Sequence, residues 1–227
     1  MIELPNVQHL SRRAAMLTMA SAALVPAYGV PGRNAWAAMP ARTDFAVFRN
    51  GSEVGYHRFD VQQSGNRTEV SIEILLEVGL GPVVLYRYTH RNREIYESGR
   101  FLSFASETND DGERYSVGAE RVENRIRVTR SLDEDYETDD LTLLPTTWWN
   151  PATKRANNLL DTQKGRIFEV AISPQQWEPV ETPQGAVDAH RFQIDGDLTL
   201  TVWYDRDDRL VRIYFPWKGD DFDYALA

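Results

Sequence analysis

Thr68-Glu69-Val70-Ser71-Ile72-Glu73-Ile74-Leu75-Leu76-Glu77-Val78 decides the fold. Val70, Ile72, Ile74, Leu76 and Val78 share one parity, and Glu69, Ser71, Glu73 and Glu77 the other. Side chains alternate across a strand, so this is a strand with one buried and one wet face. Leu75 is the one apolar residue on the wet side. The same reading extends outward in both directions. Upstream, Asp44 to Arg49 and Glu53 to Gln62 form two strands joined by Asn50-Gly51, a strong signal for a tight hairpin turn. Gly55 marks a bulge. Downstream, Gly79 to Pro82 breaks the strand and a long one follows, Val84 to Glu97. Phe101 to Glu107, Arg114 to Glu120 and Arg125 to Arg130 continue the series through turns at Ser98-Gly99 and Asp110-Asp111-Gly112.

The acidic run Asp133 to Asp140 reads as a solvated loop. Asn150 followed by Pro151 is a cap and first-turn pair, which predicts a short helix over Ala152 to Leu160. Strands resume at Arg166 to Ile172, Ala186 to Ile194, Leu198 to Asp205 and Leu210 to Phe215, with Pro174 to Gly185 as a loop. The fold class is therefore all-β with one short helix. Hairpin after hairpin implies a strongly curved antiparallel meander. It forms a closed or half-closed barrel with the helix at its concave side.

The N-terminal segment is of another kind. Arg12-Arg13 precedes an uncharged stretch, Ala14 to Val30, and then Ala35-Trp36-Ala37. A basic start, an apolar middle and a small-x-small site describe an export signal peptide over residues 1–37, cleaved near Ala37. Ser11-Arg12-Arg13 resembles a twin-arginine signal, although Ala15 stands where that pattern has Phe. The general secretory route accepts the same segment. Residues 38–227 then form a single β-rich domain, periplasmic or secreted, whose partner on the way out is the export machinery acting on residues 1–37. Pro26, Gly29, Pro31 and Gly32 interrupt the apolar run, so no stable membrane anchor is expected.

Composition narrows function. The chain carries a formal net charge of −9 and contains no cysteine. Acidic charge disfavours nucleic acid, whose phosphates demand cations. Without cysteine there is no disulfide, thiol nucleophile or lipid-anchor site. No metal site and no cofactor are expected, because the histidines have no ligand spacing and no phosphate-binding glycine loop opens a helix.

The strand Val84 to Glu97 holds the candidate site. Tyr86, Tyr88, His90, Asn92, Glu94 and Tyr96 share one face, a density of polar-tipped side chains that suits a cavity wall. Leu85, Arg87, Thr89, Arg91, Arg93 and Ile95 share the other. With His57, Trp148 and Trp149, the residues Tyr86, Tyr88 and His90 make the expected ligand-binding set. The Trp pair would serve as lid or floor for a flat apolar molecule. Three functions remain open at this point. The first is a periplasmic binding or carrier protein for a lipid-like or aromatic small molecule. The second is a cofactor-independent isomerase or lyase with His90 or His57 as acid/base and Tyr88 as partner. The third is a protein-interaction module using exposed aromatics and the acidic loop.

Four stretches carry a family resemblance. They are Gly55-Tyr56-His57-Arg58-Phe59, Tyr86-Arg87-Tyr88-Thr89-His90-Arg91, Thr108-Asn109-Asp110-Asp111-Gly112 and Trp149-Asn150-Pro151. Together they resemble bacterial exported proteins of unknown function, over nearly all of residues 38–227. Phe192 to Asp197, Val202 to Asp205 and Leu210-Val211 are similar in pattern to the closing strands of curved-sheet periplasmic lipoprotein carriers. That likeness implies a concave sheet crossed by a helix.

Overall fold

The computed structural model describes residues 39–80 and 83–227, so the expected export signal at 1–37 lies outside the described residues. One sheet of 15 strands accounts for the domain. The strands are β1 Arg42–Arg49, β2 Ser52–Ser64, β3 Arg67–Leu80, β4 Val83–Glu97, β5 Arg100–Asp110, β6 Glu113–Val122, β7 Arg125–Arg130 and β8 Tyr136–Thr138. They continue as β9 Leu144–Pro145, β10 Asn158–Leu160, β11 Ile167–Val180, β12 Val187–Gly196, β13 Leu200–Asp205, β14 Leu210–Trp217 and β15 Asp220–Leu226.

From β1 to β8 each strand pairs with the next, and so does each from β10 to β15. The two series join where the last strand, β15, pairs antiparallel with the first, Phe45 opposite Leu226. Among the described strands the single parallel contact is β9 with β10. Buried residues from both series, including Phe45, Val70, Tyr96, Ile126, Ile194 and Tyr204, belong to one core cluster. Both series of strands thus contribute to a single apolar core.

Local chemistry explains the joints. Asn50 and Gly51 both take positive φ, 51° and 80°, as a two-residue hairpin of the primed type requires. The bulge expected at Gly55 is present: the β1–β2 register slips between Val47 and Phe48, beside the Val47–Gly55 pair. Gly55 sits at φ 154°, and a Cβ there would lie 1.9 Å from the Leu75 carbonyl oxygen, so no other residue fits without moving β3.

Three expectations are corrected. The helix over Ala152 to Leu160 does not form. Asn150 does cap, accepting the Ala152 N–H at 2.9 Å, but the turn is a 3-10 turn of five residues, Pro151–Arg155. Asn158 to Leu160 is then drawn into the sheet against Ile167 to Glu169. Strand pairing and the complete burial of Leu159 and Leu160 outweigh a helical preference that is small per residue. No helix among the described residues is long and apolar enough to cross a membrane. The loop at Pro174 to Gly185 is strand as far as Val180, its prolines accommodated by an irregularity between Pro174 and Trp177. The acidic run contains the short strand β8, held by Arg125 and Arg127 through Glu137.

Candidate functional site

The pairings place the polar face of β4 within four parallel rows across the interior. The first runs Tyr224–Val47–Gly55–Leu76–Tyr88–Asp110. The second runs Phe45–His57–Ile74–His90–Thr108–Tyr115, the third Phe59–Ile72–Asn92–Ser106–Val117, and the fourth Val61–Val70–Glu94–Phe104–Ala119–Val128. His57 and His90 therefore share a row with Ile74 between them. Tyr88 and Tyr224 share the next, on either side of the glycine that supplies no side chain.

What covers the β4 face is not a helix but the turn 161–165 between β10 and β11. Thr162 presents its hydroxyl to His90 Nε2 at 3.4 Å, and its carbonyl accepts from Ser106 at 2.5 Å. Gln163 Oε1 accepts from the Tyr88 hydroxyl at 3.3 Å, while its Nε2 donates to Asp110 Oδ2 at 3.4 Å. Asp110 Oδ1 accepts from Tyr86 at 2.7 Å. The turn is held in shape by Asp161, whose carboxylate accepts the Gln163 and Lys164 N–H groups. Gly165, at φ 68°, lies so close to β6 and β7 that a Cβ would fall 2.7 Å from the Arg130 side chain.

The expected ligand set divides into three groups. Tyr86 and Tyr88 stand at the end of the sheet where the β1–β2, β5–β6 and β14–β15 turns lie. His90 is next along the strand, its ring stacked 6.4 Å from Tyr88 and its Nδ1 2.8 Å from Thr108 Oγ1. Trp149 is farther down, with its indole N–H on Glu94 Oε2 at 2.8 Å and its ring edge-on to Tyr96 at 5.3 Å. Trp148 is also buried and offers its carbonyl to the Tyr204 hydroxyl at 2.6 Å. Tyr88 and Glu94 are six residues apart, roughly 20 Å of strand, so the Trp pair does not flank Tyr86 and Tyr88.

Glu94 is wholly buried. Burial pushes its pKa up, opposed by donors on both oxygens: Asn92 on one at 2.9 Å, Tyr96 and Trp149 on the other at 2.7 and 2.8 Å. This is a polar tie between β4 and the Trp149 segment. His57 is different. Only 4 % exposed, it has no hydrogen-bond partner among the described residues on either ring nitrogen. It packs against Phe59 at 4.3 Å, Tyr224 at 5.6 Å and Phe45 at 6.2 Å. Burial, and after it the charge that His90 would carry, lower its pKa to about 3. Burial alone lowers that of His90 to about 4. Tyr224 was not expected. Its signal was the Phe222, Tyr224, Leu226 parity at the end of the chain. The pKa of Tyr86 is raised by burial, then by Asp110, Asp111 and Tyr224. That of Tyr88 is raised by burial, then by Tyr224 and Asp161.

A cavity of about 20 Å³, room for roughly one water, lies among Met39, Phe45, Phe59, Trp149 and Leu210. A larger hollow, about 810 Å³, is an open groove on the outer face of β2 to β7, between Arg91 and Arg93 on one side and Ser131 and Asp135 on the other. Among the described residues no cluster of three or more His, Asp or Glu side chains is arranged to hold a metal ion.

Residues 45–227 match the model of the family described as Domain of unknown function (DUF6134). The chain belongs to this family. No curated protein matches the chain. Among solved structures, this DUF6134 chain is similar to one from Brucella abortus titled as a beta-barrel-like protein of domain of unknown function DUF1849. The TM-score is 0.59 at 10 % identity, over 82 % of this chain and 95 % of that one. At that identity the likeness speaks for the DUF6134 fold alone.

Proposed function

We propose that the protein is an exported binding or carrier protein, cleaved near Ala37, for an apolar or amphipathic small molecule held on the concave side of the curved sheet. The observation that carries this reading is His57. Buried polar groups are almost always paired, and an unpaired one calls for an explanation. A neutral imidazole offers one donor and one acceptor. Set among Phe45, Phe59 and Tyr224, it suits a molecule with an apolar body and one hydroxyl, amide or carboxylic acid group. Tyr224 lies against it at 5.6 Å, Tyr88 stands in the adjacent row, and Gly55 contributes no side chain to that row. Entry displaces Gln163, which is held to Tyr88 and Asp110 by two long bonds of 3.3 and 3.4 Å.

The same geometry weighs against acid/base catalysis. A general base works best with a pKa near the working pH. His57 at about 3 and His90 at about 4 are weak bases, and both nitrogens of His90 already face threonine hydroxyls.

The test is mass spectrometry of organic extracts from protein purified from its own host. One lipid-like or aromatic species should be recovered in near-stoichiometric amount. Its recovery should fall at least tenfold in His57→Phe, which preserves aromatic packing but removes the polar anchor. A clean extract, together with no enhancement of anilinonaphthalene sulfonate fluorescence on the native protein, would refute the proposal.

A further inference from the structure

We infer that the turn 161–165 is a flap that lifts as one body off the polar wall of β4 and β5 and so controls access to it. Its internal bonds make it a unit. The Asp161 carboxylate accepts the Gln163 and Lys164 N–H groups at 2.9 and 3.0 Å. The Gly165 N–H donates to the Asp161 carbonyl at 3.0 Å, and the Asp161 N–H to the Arg166 carbonyl at 2.8 Å. None of these bonds reaches the wall, so all of them persist when the flap lifts. The base of the hairpin stays in place, because Leu159 and Leu160 are wholly buried and Leu160 pairs with Ile167.

What joins the flap to the wall is mostly weak. Thr162, Gln163, Lys164 and Gly165 bring no large apolar side chain, so little hydrophobic burial holds them down. The bonds to His90, Tyr88 and Asp110, at 3.4, 3.3 and 3.4 Å, are longer than the usual span of about 2.7–3.2 Å. One firm bond holds the tip, from Ser106 to the Thr162 carbonyl at 2.5 Å. The other is at the base, where Tyr136 donates to the Gly165 carbonyl at 3.0 Å. Gly165, at φ 68°, has the conformational freedom of a hinge. Segments held by few apolar contacts open locally, well short of global unfolding.

Register shows what lies beneath. In the row His90–Thr108–Tyr115, Thr162 bonds to the first residue and the Lys164 ammonium sits 4.6 Å from the ring centre of the last. Thr108, between them, is under the flap, and Ser106 is bonded to it directly. Both are buried. The Thr162 hydroxyl and carbonyl and the Gln163 amide thus fill the positions on His90, Ser106 and Tyr88 that the polar head of a ligand would take. The flap is an internal stand-in for that head. That it guards a ligand rests on the carrier reading; that it opens does not.

The experiment uses the absence of cysteine. Thr108→Cys, introduced into the full chain, is offered dithiobis(nitrobenzoic acid) under native conditions, beside Val70→Cys, a wholly buried position on β3. Thr108→Cys should react on the order of a hundredfold faster, because a local opening exposes it. Low urea should leave its rate unchanged, while that of Val70→Cys rises steeply, as exposure by global unfolding requires. Adding Gln163→Ala, which removes the bonds to Tyr88 and Asp110, should speed Thr108→Cys about tenfold and leave Val70→Cys as it was. Ser106→Cys repeats the measurement should Thr108→Cys fail to fold. A Thr108→Cys rate no faster than that of Val70→Cys would overturn the proposal. So would an equally steep dependence on urea, or indifference to Gln163→Ala. A clean host extract would remove the carrier reading and leave these rates untouched, so the two fail separately.

Discussion

The two series of strands solve the same packing problem with opposite chemistry. In the β1–β8 series the core face of β4 is polar: His90, Asn92 and Glu94 are all buried. Its outer face is a ladder of ion pairs, Arg91 on Glu73 and Arg93 on Glu69. In the β10–β15 series the core face of β13 is Leu200, Val202 and Tyr204. Its outer face buries a second apolar cluster of Val180, Ala189, Trp203 and Val211, with Arg191 and Arg212 over the Trp203 ring. Apolar burial is non-directional, so the second series can form from pattern alone. A buried polar face needs partners for its groups, and β4 draws on Thr108 of β5, on the turn 161–165 and on Trp149 for them. The polar series is thus completed by segments of the other one.

Removing a group on each side tests that contrast. Glu94→Ala removes the buried acceptor shared by Asn92, Tyr96 and Trp149, so it should cost about 4 kcal/mol in urea unfolding. Val202→Ala, which removes only apolar volume from the facing series, should cost about 2 kcal/mol. Equal losses would mean that the polar tie is no more demanding than ordinary packing.

Acid should separate the series next. His57 has a folded pKa of about 3 against the 6.5 of an ordinary histidine, so between those values the folded state binds fewer protons than the unfolded one. Stability is then full above pH 6.5 and declines as pH falls toward 3. His90, lowered to about 4, acts with the same sign. Glu94, raised by burial, acts with the opposite sign, losing stability as pH rises through its own range. His57→Phe should therefore gain on the order of 2 kcal/mol relative to the parent on going from pH 7 to pH 5. Thermal melts at the two pH values would show it, and parallel curves would count against a desolvated His57. The smallest effect belongs to the outer ladder. Arg93→Ala removes an exposed pair and should leave the melting temperature unchanged within error.

These differences also explain what the sequence revealed. Thr68 to Val78 could be read because alternation is a local signal and the interior honours it. The Asn50-Gly51 turn and the Gly55 bulge were legible because each is a backbone requirement that few residues satisfy. The segment 152–160 was not, because Asn150 and Pro151 do start a turn and only the distant strand β11 decides that it stops. β15 was overlooked although Phe222, Tyr224 and Leu226 alternate with Asp221 and Asp223, since seven residues give a short pattern. At the candidate site, the polar face of β4 was visible by parity. The isolation of His57 was not, because it depends on Phe45, Phe59 and Tyr224 arriving from three different strands.

The β1–β15 pairing sets the order in which the molecule can be finished. Of the described strands β1 is made first and β15 last, yet Phe45 lies opposite Leu226 in the middle of the sheet. Until the final seven residues are in place, β1 and β14 each keep a bare hydrogen-bonding edge of the kind that recruits other chains. The longest loop in the chain must close before that seam can form, which is a slow step for a β topology. Assembly is therefore a race between the arrival of Asp220 to Leu226 and any stranger that reaches those edges first. The carboxylates of exposed Asp221 and half-buried Asp223, paired by Tyr214 and Arg212 on β14, help the proper strand to be recognised as it arrives.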